Sequence, residues 1–273
     1  MRADFELTKV LVAVKTYPNP SEKYDETVCT AVVTETGKWL RIYPVNYRDL
    51  PKDKQYNKWQ WMEIGLTSRG HRGDPRPESR EPDVNSIRLL GEPLPTKNAW
   101  EARRRIIDGM PHSTLNELER QWEVDRTSLG IIRPAQVLDL EVREGDRKWS
   151  PKHEAHRAMP RLFGQVKTLH KIPFNFHYVF RCPDHDEPHR LLLEDWELGA
   201  LFLNERIAKG EDAAVQSVRQ KFLDDLCGPG KDTRFFVGTR HPFNQWMVIG
   251  VFYPPQKPKA SGTQGTAGPL FSS

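Results

Sequence analysis

Residues 9–14 (KVLVAV) are almost wholly apolar after the first, whereas Lys38–Tyr43 alternate. In the alternating run Trp39, Arg41 and Tyr43 share one face and Leu40 and Ile42 the other. The first pattern predicts a strand over Lys9–Lys15. The second predicts a strand that follows a turn at Thr36-Gly37 and pairs with Val28–Thr34. Further strands are expected at Gln60–Leu66 and Ser86–Leu90, around a polar loop at Ser68–Asp83 rich in Pro and Gly. Helices follow. Asn98 with Glu101 and Thr114 with Glu117 have the spacing of capping pairs. Val137–Val142 returns to period 2, with Leu138, Leu140 and Val142 on a core face. Short strands closing around a helical insertion predict a small β-barrel, OB-like or related, over residues 1–148.

The pattern changes after a charged, turn-like stretch at Glu144–Ser150. Ser150 caps and Pro151 opens a short helix. Strands at Phe176–Phe180 and Arg190–Leu193 flank the loop CPDHDEPH. Helices at Asp195–Lys209 and Glu211–Leu226 lead to a closing strand pair, Arg234–Gly238 and Trp246–Phe252. Residues 149–256 therefore read as an α+β domain, and the whole chain as α+β. Residues 257–273, Lys/Pro and then Gly/Ser/Thr-rich, are expected to be a disordered tail.

Composition changes this picture little. The 273 residues suffice for two modest domains with proper cores. Lys and Arg total 41 against 37 acids, a balance too even to establish nucleic-acid binding without local clustering. Eight Trp residues supply either core or flat stacking surface. Three widely spaced cysteines argue against a secreted disulfide framework. No apolar run approaches the ~20 residues that span a bilayer, and the N-terminus lacks a signal-peptide pattern. The expected location is the cytoplasm.

The chemistry is concentrated in a few clusters. The Trp39/Arg41/Tyr43 face, extended by Tyr47, Arg48, Lys58 and Trp59, could stack bases and attract phosphate. The alternative places Trp39 and Tyr43 in the core, because period 2 does not say which face is inside. Arg69, Arg72 and Arg76, with His71 and Arg80, lie in a Gly-containing loop suited to gripping a phosphate backbone. Arg240 and His241 sit in a turn and could touch phosphate. Cys182, His185 and His189 form C-x2-H-x3-H, zinc-competent but lacking a local fourth ligand; the alternative is a polar hairpin. Asp195 and Glu197, with Asp232 brought near by the fold, could hold magnesium for phosphodiester cleavage, with a histidine as acid or base. Ordinary helix capping, with the carboxylates favourably placed at the dipole, is the simpler reading of Asp195 and Glu197. No nucleophile elbow, Walker loop or dinucleotide fingerprint is present.

The run ETVCTAVVTETGKWLRIYPVNYRDL resembles the opening of poorly characterised prokaryotic proteins with dual OB-type barrels. Cys29, Ala31, Gly37, Trp39, Arg41, Pro44 and Val45 carry the similarity. The resemblance implies nucleic-acid binding, often in defence against foreign DNA or RNA. Three functions thus stand as expectations: a nucleic-acid-binding protein, a metal-dependent nuclease or base-processing enzyme, and a structural subunit that binds a protein partner.

Overall fold

The computed structural model describes residues 5–21, 25–68, 74–158, 168–240 and 244–257. The first sheet is built from β1 (Phe5–Lys15), β2 (Asn19–Ser21), β3 (Asp25–Thr34), β4 (Trp39–Val45), β5 (Trp61–Thr67), β6 (Ser79–Arg80) and β7 (Pro82–Leu90). Its order is β6-β4-β3-β1-β5-β7, with β2 on β3. No closed barrel is found among the described residues: the strand order ends on β6 and β7, although Glu81 alone separates these two strands in the chain. β1 is central, and over Val10–Val14 it is buried on both faces, which is why that run lacks polar positions. Val10 and Val12 point into one core with Val32, Ile42 and Met62. Leu11, Ala13 and Val14 point into another, a bulge at Val12/Val14 setting the last of them. The predicted β3–β4 turn is present, with Gly37 at φ +77°, a left-handed conformation that favours glycine.

Two helices, α1 (Lys97–Ile107) and α2 (Leu115–Asp125), connect to the second sheet. Thr114 and Glu117 form the expected capping box on α2. Asn98 does not cap α1: it lies at φ 52° with Ala99 and Trp100 also left-handed, and the cap position falls at Thr96. The second sheet contains β8 (Leu129–Ile132), β9 (Gln136–Glu144), β10 (Phe174–Cys182), β11 (His185–Leu193), β12 (Arg234–Arg240) and β13 (Gln245–Phe252). Its order is β8-β12-β13-β11-β10-β9. Both β8 and β9 belong here, so the division between the sheets falls before Leu129 rather than near residue 148. Three helices complete this half: α3 (Pro151–Ala158), α4 (Trp196–Lys209) and α5 (Glu211–Arg219), the last continued by a π-helical turn at Gln220–Asp225.

The architecture is mixed α+β, with two packed sheets. Alternation along β12 and β13 sends residues to opposite sides. Phe235, Val237, Trp246 and Val248 meet the helices. Phe236, Met247, Ile249 and Phe252 meet β1 and β3 of the first sheet. One apolar layer therefore fuses the two sheets, and a groove runs along its open margin.

Candidate nucleic-acid interface

The ribbon that the sequence singled out turns inward. Leu40 and Ile42 pack inside the first sheet, while Trp39 faces the second sheet. The Trp39 ring meets Phe236 edge-on at 5.5 Å between centroids. Arg41 is 3% exposed. Its Nη2 donates to the Ser128 carbonyl at 3.0 Å and to Ser128 Oγ at 3.1 Å. The Glu78 carboxylate accepts from the same serine's N–H and hydroxyl at 2.7 and 3.0 Å, so Arg41 is anchored through Ser128. An exposed Trp39/Arg41/Tyr43 docking platform does not exist. Tyr43 alone of the three keeps a half-buried place at the groove.

Other candidates are likewise committed to partners. Arg48 grips Glu26, its Nε donating at 2.6 Å and its Nη2 closer still, and also reaches the Thr168 carbonyl at 2.9 Å. Arg76, 7% exposed, clamps Asp74 through Nε at 2.8 Å and Nη2 at 2.7 Å. Its Nη1 donates across to the Thr239 carbonyl at 2.9 Å, tying the loop to β12. Arg69 and Arg72, with His71 and His241, lie outside the described residues, as does all of the expected tail after Lys257.

Neither metal set assembles. Cys182 is buried in the second sheet's helical core, and His189 rests against the Phe180 ring. His185 approaches the Glu187 carbonyl at 3.2 Å. Among the described residues no group of three or more His, Cys, Asp or Glu side chains could hold a metal ion. C-x2-H-x3-H is therefore a hairpin whose register turns the cysteine inward.

Asp195 is the N-cap of α4 and accepts from the Glu197 N–H at 2.7 Å. Lys58 Nζ lies 3.3 Å from Asp195 Oδ2 and 3.0 Å from Glu197 Oε2, so an ammonium sits where a metal would have to. Burial alone would lower the Lys58 pKa, but the two carboxylates hold it above its ordinary value. Asp232 does not join them. It lies in a separate cleft of charged side chains, where Arg104, Arg133 and Arg234 converge on it at 2.9, 2.8 and 2.8 Å.

The structure instead assembles a groove between the two halves. Three connected hollows, with volumes of about 320, 400 and 740 Å³, share Asn19 and Arg240. Arg240, at the end of β12, is half exposed. Glu194, in the link between β11 and α4, lies 4.0 Å from it and is 22% exposed. Burial pushes the Glu194 carboxyl above its ordinary pKa, against the pull of Arg240 and a hydrogen bond from Asn19. Trp149 and Tyr17 form aromatic walls. Lys171 Nζ lies 5.2 Å from the Trp149 ring centroid. Tyr17 donates to the His170 carbonyl at 2.7 Å, and burial pushes its phenol up to about 12.

Tyr17 is held by a close approach to α4. A Cβ on Gly199 would lie 2.2 Å from Tyr17 Cδ2. Gly199→Ala is accordingly expected to cost about 1–3 kcal/mol by overpacking. Urea unfolding measures this; an unchanged midpoint would mean that Tyr17 moves aside freely.

Sequence reasoning missed Asn19, Trp149, Lys171 and Glu194. Glu194 carried one signal, a carboxylate directly after the apolar run Leu191–Leu193. The others become neighbours only when β2 and the α3 region meet the end of β12.

Fold and groove together define an α+β protein of two packed sheets with a cleft at their junction. The chain belongs to the family described as Domain of unknown function (DUF8757), whose model matches residues 111–267. Residues 6–109 match a second, Domain of unknown function (DUF8758). The two matches meet between α1 and α2, and the groove draws residues from both. No curated protein matches the chain. A crystal structure of the tetrameric p202 HIN2 covers 94% of this chain and 96% of its own, at 8% identity and TM-score 0.30. A murine DNA-binding protein bound with double-stranded DNA covers 93% and 98%, at 11% identity and TM-score 0.31. Likenesses this low say nothing about what this chain binds.

Proposed function

We propose that the chain binds nucleic acid along the groove between its two sheets. One observation carries the reading: aromatic walls, Tyr17, Tyr43 and Trp149, stand among Arg240 and Lys171 in connected hollows. Aromatic faces stack bases without demanding a sequence, and cations track the phosphates. A nuclease reading is not supported, because the acidic set it needs is divided between Lys58 and the arginine cluster. A cytoplasmic role against foreign DNA or RNA is a finer proposal that rests on the ribbon resemblance. Phage challenge of cells with and without the gene tests it, and equal plaque counts would end it.

Anisotropy titration of labelled DNA and RNA oligonucleotides tests the binding itself. The logarithm of the association constant should fall linearly with that of salt concentration. Arg240→Ala should reduce the slope by about one. Trp149→Ala should weaken binding by about 1–3 kcal/mol. Absence of binding to every oligonucleotide, or binding indifferent to salt, overturns the proposal.

A further inference from the structure

The cleft around Asp232 lies at the opposite end of β12 from the groove. The strand runs from Arg234 in the cleft to Arg240 in the groove, a span of about 20 Å. The cleft shares no lining residue with the groove, and its volume is about 630 Å³. Among the described residues every side chain that lines it is charged or polar. Small-molecule sites of this size are mostly walled by apolar and aromatic groups. This one gives a flat ring nothing to pack on and suits a compact, charged ligand.

The charges of the cleft do not cancel. Arg104, Arg133, Arg234 and Lys257 stand against Asp108 and Asp232, an excess of two positive charges. His112 adds none. Its Nδ1 lies 2.9 Å from the Met110 carbonyl, which only accepts, and its Nε2 3.2 Å from Arg234 Nη1, which only donates. The ring is therefore neutral, with its proton on Nδ1. Burial, and then Arg234 beside it, push its pKa down. Arg104 and Arg234 are buried, and their Nη groups are committed to Asp232, Asp108 and the Pro255 carbonyl. Arg133 and Lys257 differ. Among the described residues each makes one ion pair, Arg133 Nη2 with Asp232 Oδ1 at 2.8 Å and Lys257 Nζ with Asp108 Oδ2 at 3.2 Å. Their side chains are 63% and 68% exposed, so each keeps further N–H donors in contact with solvent.

We propose that this cleft binds a short polyphosphate, with Arg133 and Lys257 donating to its phosphoryl oxygens above the buried Asp232 cluster. A ligand with several oxygens and more than one negative charge matches two spare cations better than a monoanion does. With no apolar wall, the cleft reads the phosphate chain itself, free or as the tail of a nucleotide. The inference stands apart from the groove and needs no bound nucleic acid.

Isothermal titration calorimetry of the full chain with sodium pyrophosphate, at ionic strength held constant with sodium chloride, tests it. One saturable site is expected, and saturation should raise the urea midpoint. Arg133→Ala and Lys257→Ala should each weaken binding about tenfold, the size of one hydrogen bond to a charged group. Urea unfolding of the two variants separates weaker binding from loss of the fold. No saturable heat together with an unmoved midpoint, or an affinity that either substitution leaves unchanged, overturns the site. Adenosine diphosphate binding more tightly than pyrophosphate assigns the cleft to a nucleotide tail, and the reverse order to free polyphosphate. Displacement of pyrophosphate by a saturating oligonucleotide overturns the small-molecule site, because the cleft then serves the phosphates of a strand. Failure of every oligonucleotide to bind overturns the groove reading and leaves this one standing.

Discussion

Asp232→Ala is expected to lower the stability of the protein by about 3–5 kcal/mol, the cost of leaving buried cations uncompensated. Arg104 and Arg234 are each 4% exposed, and both donate to Asp232 Oδ2, at 2.9 and 2.8 Å. Arg104 comes from α1 in the first matched region, and Asp232 and Arg234 from the second, so the cluster staples the halves together. Arg234 also reaches Asp108 at 2.6 Å, and Arg104 the Pro255 carbonyl, but neither contact replaces the lost carboxylate. Urea unfolding of the variant measures the effect. A loss under about 1 kcal/mol, the scale of exposed ion pairs, would mean that the guanidiniums regain water on substitution.

The same carboxylate gives a pH dependence. Burial pushes its pKa up, but the hydrogen bonds from Arg234 and Arg104 outweigh burial and hold it below the ordinary 3.8. Because the folded value is the lower one, the unfolded chain takes up the proton first as pH falls. The contribution of Asp232 is thus complete above the ordinary value and lost as pH falls through the depressed one. The wild type should lose more stability than Asp232→Ala across that acid interval.

Trp39→Ala carries the second large effect, a loss of about 2–3 kcal/mol, toward the lower end for an aromatic truncation because the ring is only half buried. The indole contributes to the layer between the sheets and contacts Phe236. Nucleic-acid affinity of the folded variant should stay within about twofold, well short of the cost of losing a stacked base. Trp149→Ala should show the reverse: modest destabilisation and weaker binding. If anisotropy instead shows Trp39→Ala abolishing binding with its unfolding midpoint unchanged, the inward placement of the ribbon is wrong.

The contrast between these tryptophans shows where sequence reading reaches its limit. Period 2 at Lys38–Tyr43 identified a two-faced strand correctly. It could not choose the inner face, because both faces are covered, Leu40 and Ile42 by one core and Trp39 by the other. The long strands and helices were legible within a few residues, since apolar period and capping residues act locally. Thr114 with Glu117, and Asp195 before α4, do what their positions suggest. The strand β8 was not legible. Its four residues, Leu129–Ile132, lack alternation and find their partner in β12, about a hundred residues later. Without it the pattern of elements places the division near residue 148.

Local chemistry written in the order of residues settled the elements of this protein: which segments are strands, where helices begin, and that it is an α+β chain. Tertiary structure alone decided the partners. It buried Arg41 against Ser128, gave Asp195 to Lys58, surrounded Asp232 with arginines, and brought Asn19, Glu194 and Arg240 to one groove. The physical reason is that a side chain's charge, burial and access to solvent depend on neighbours remote along the chain, and spacing between residues carries no record of them.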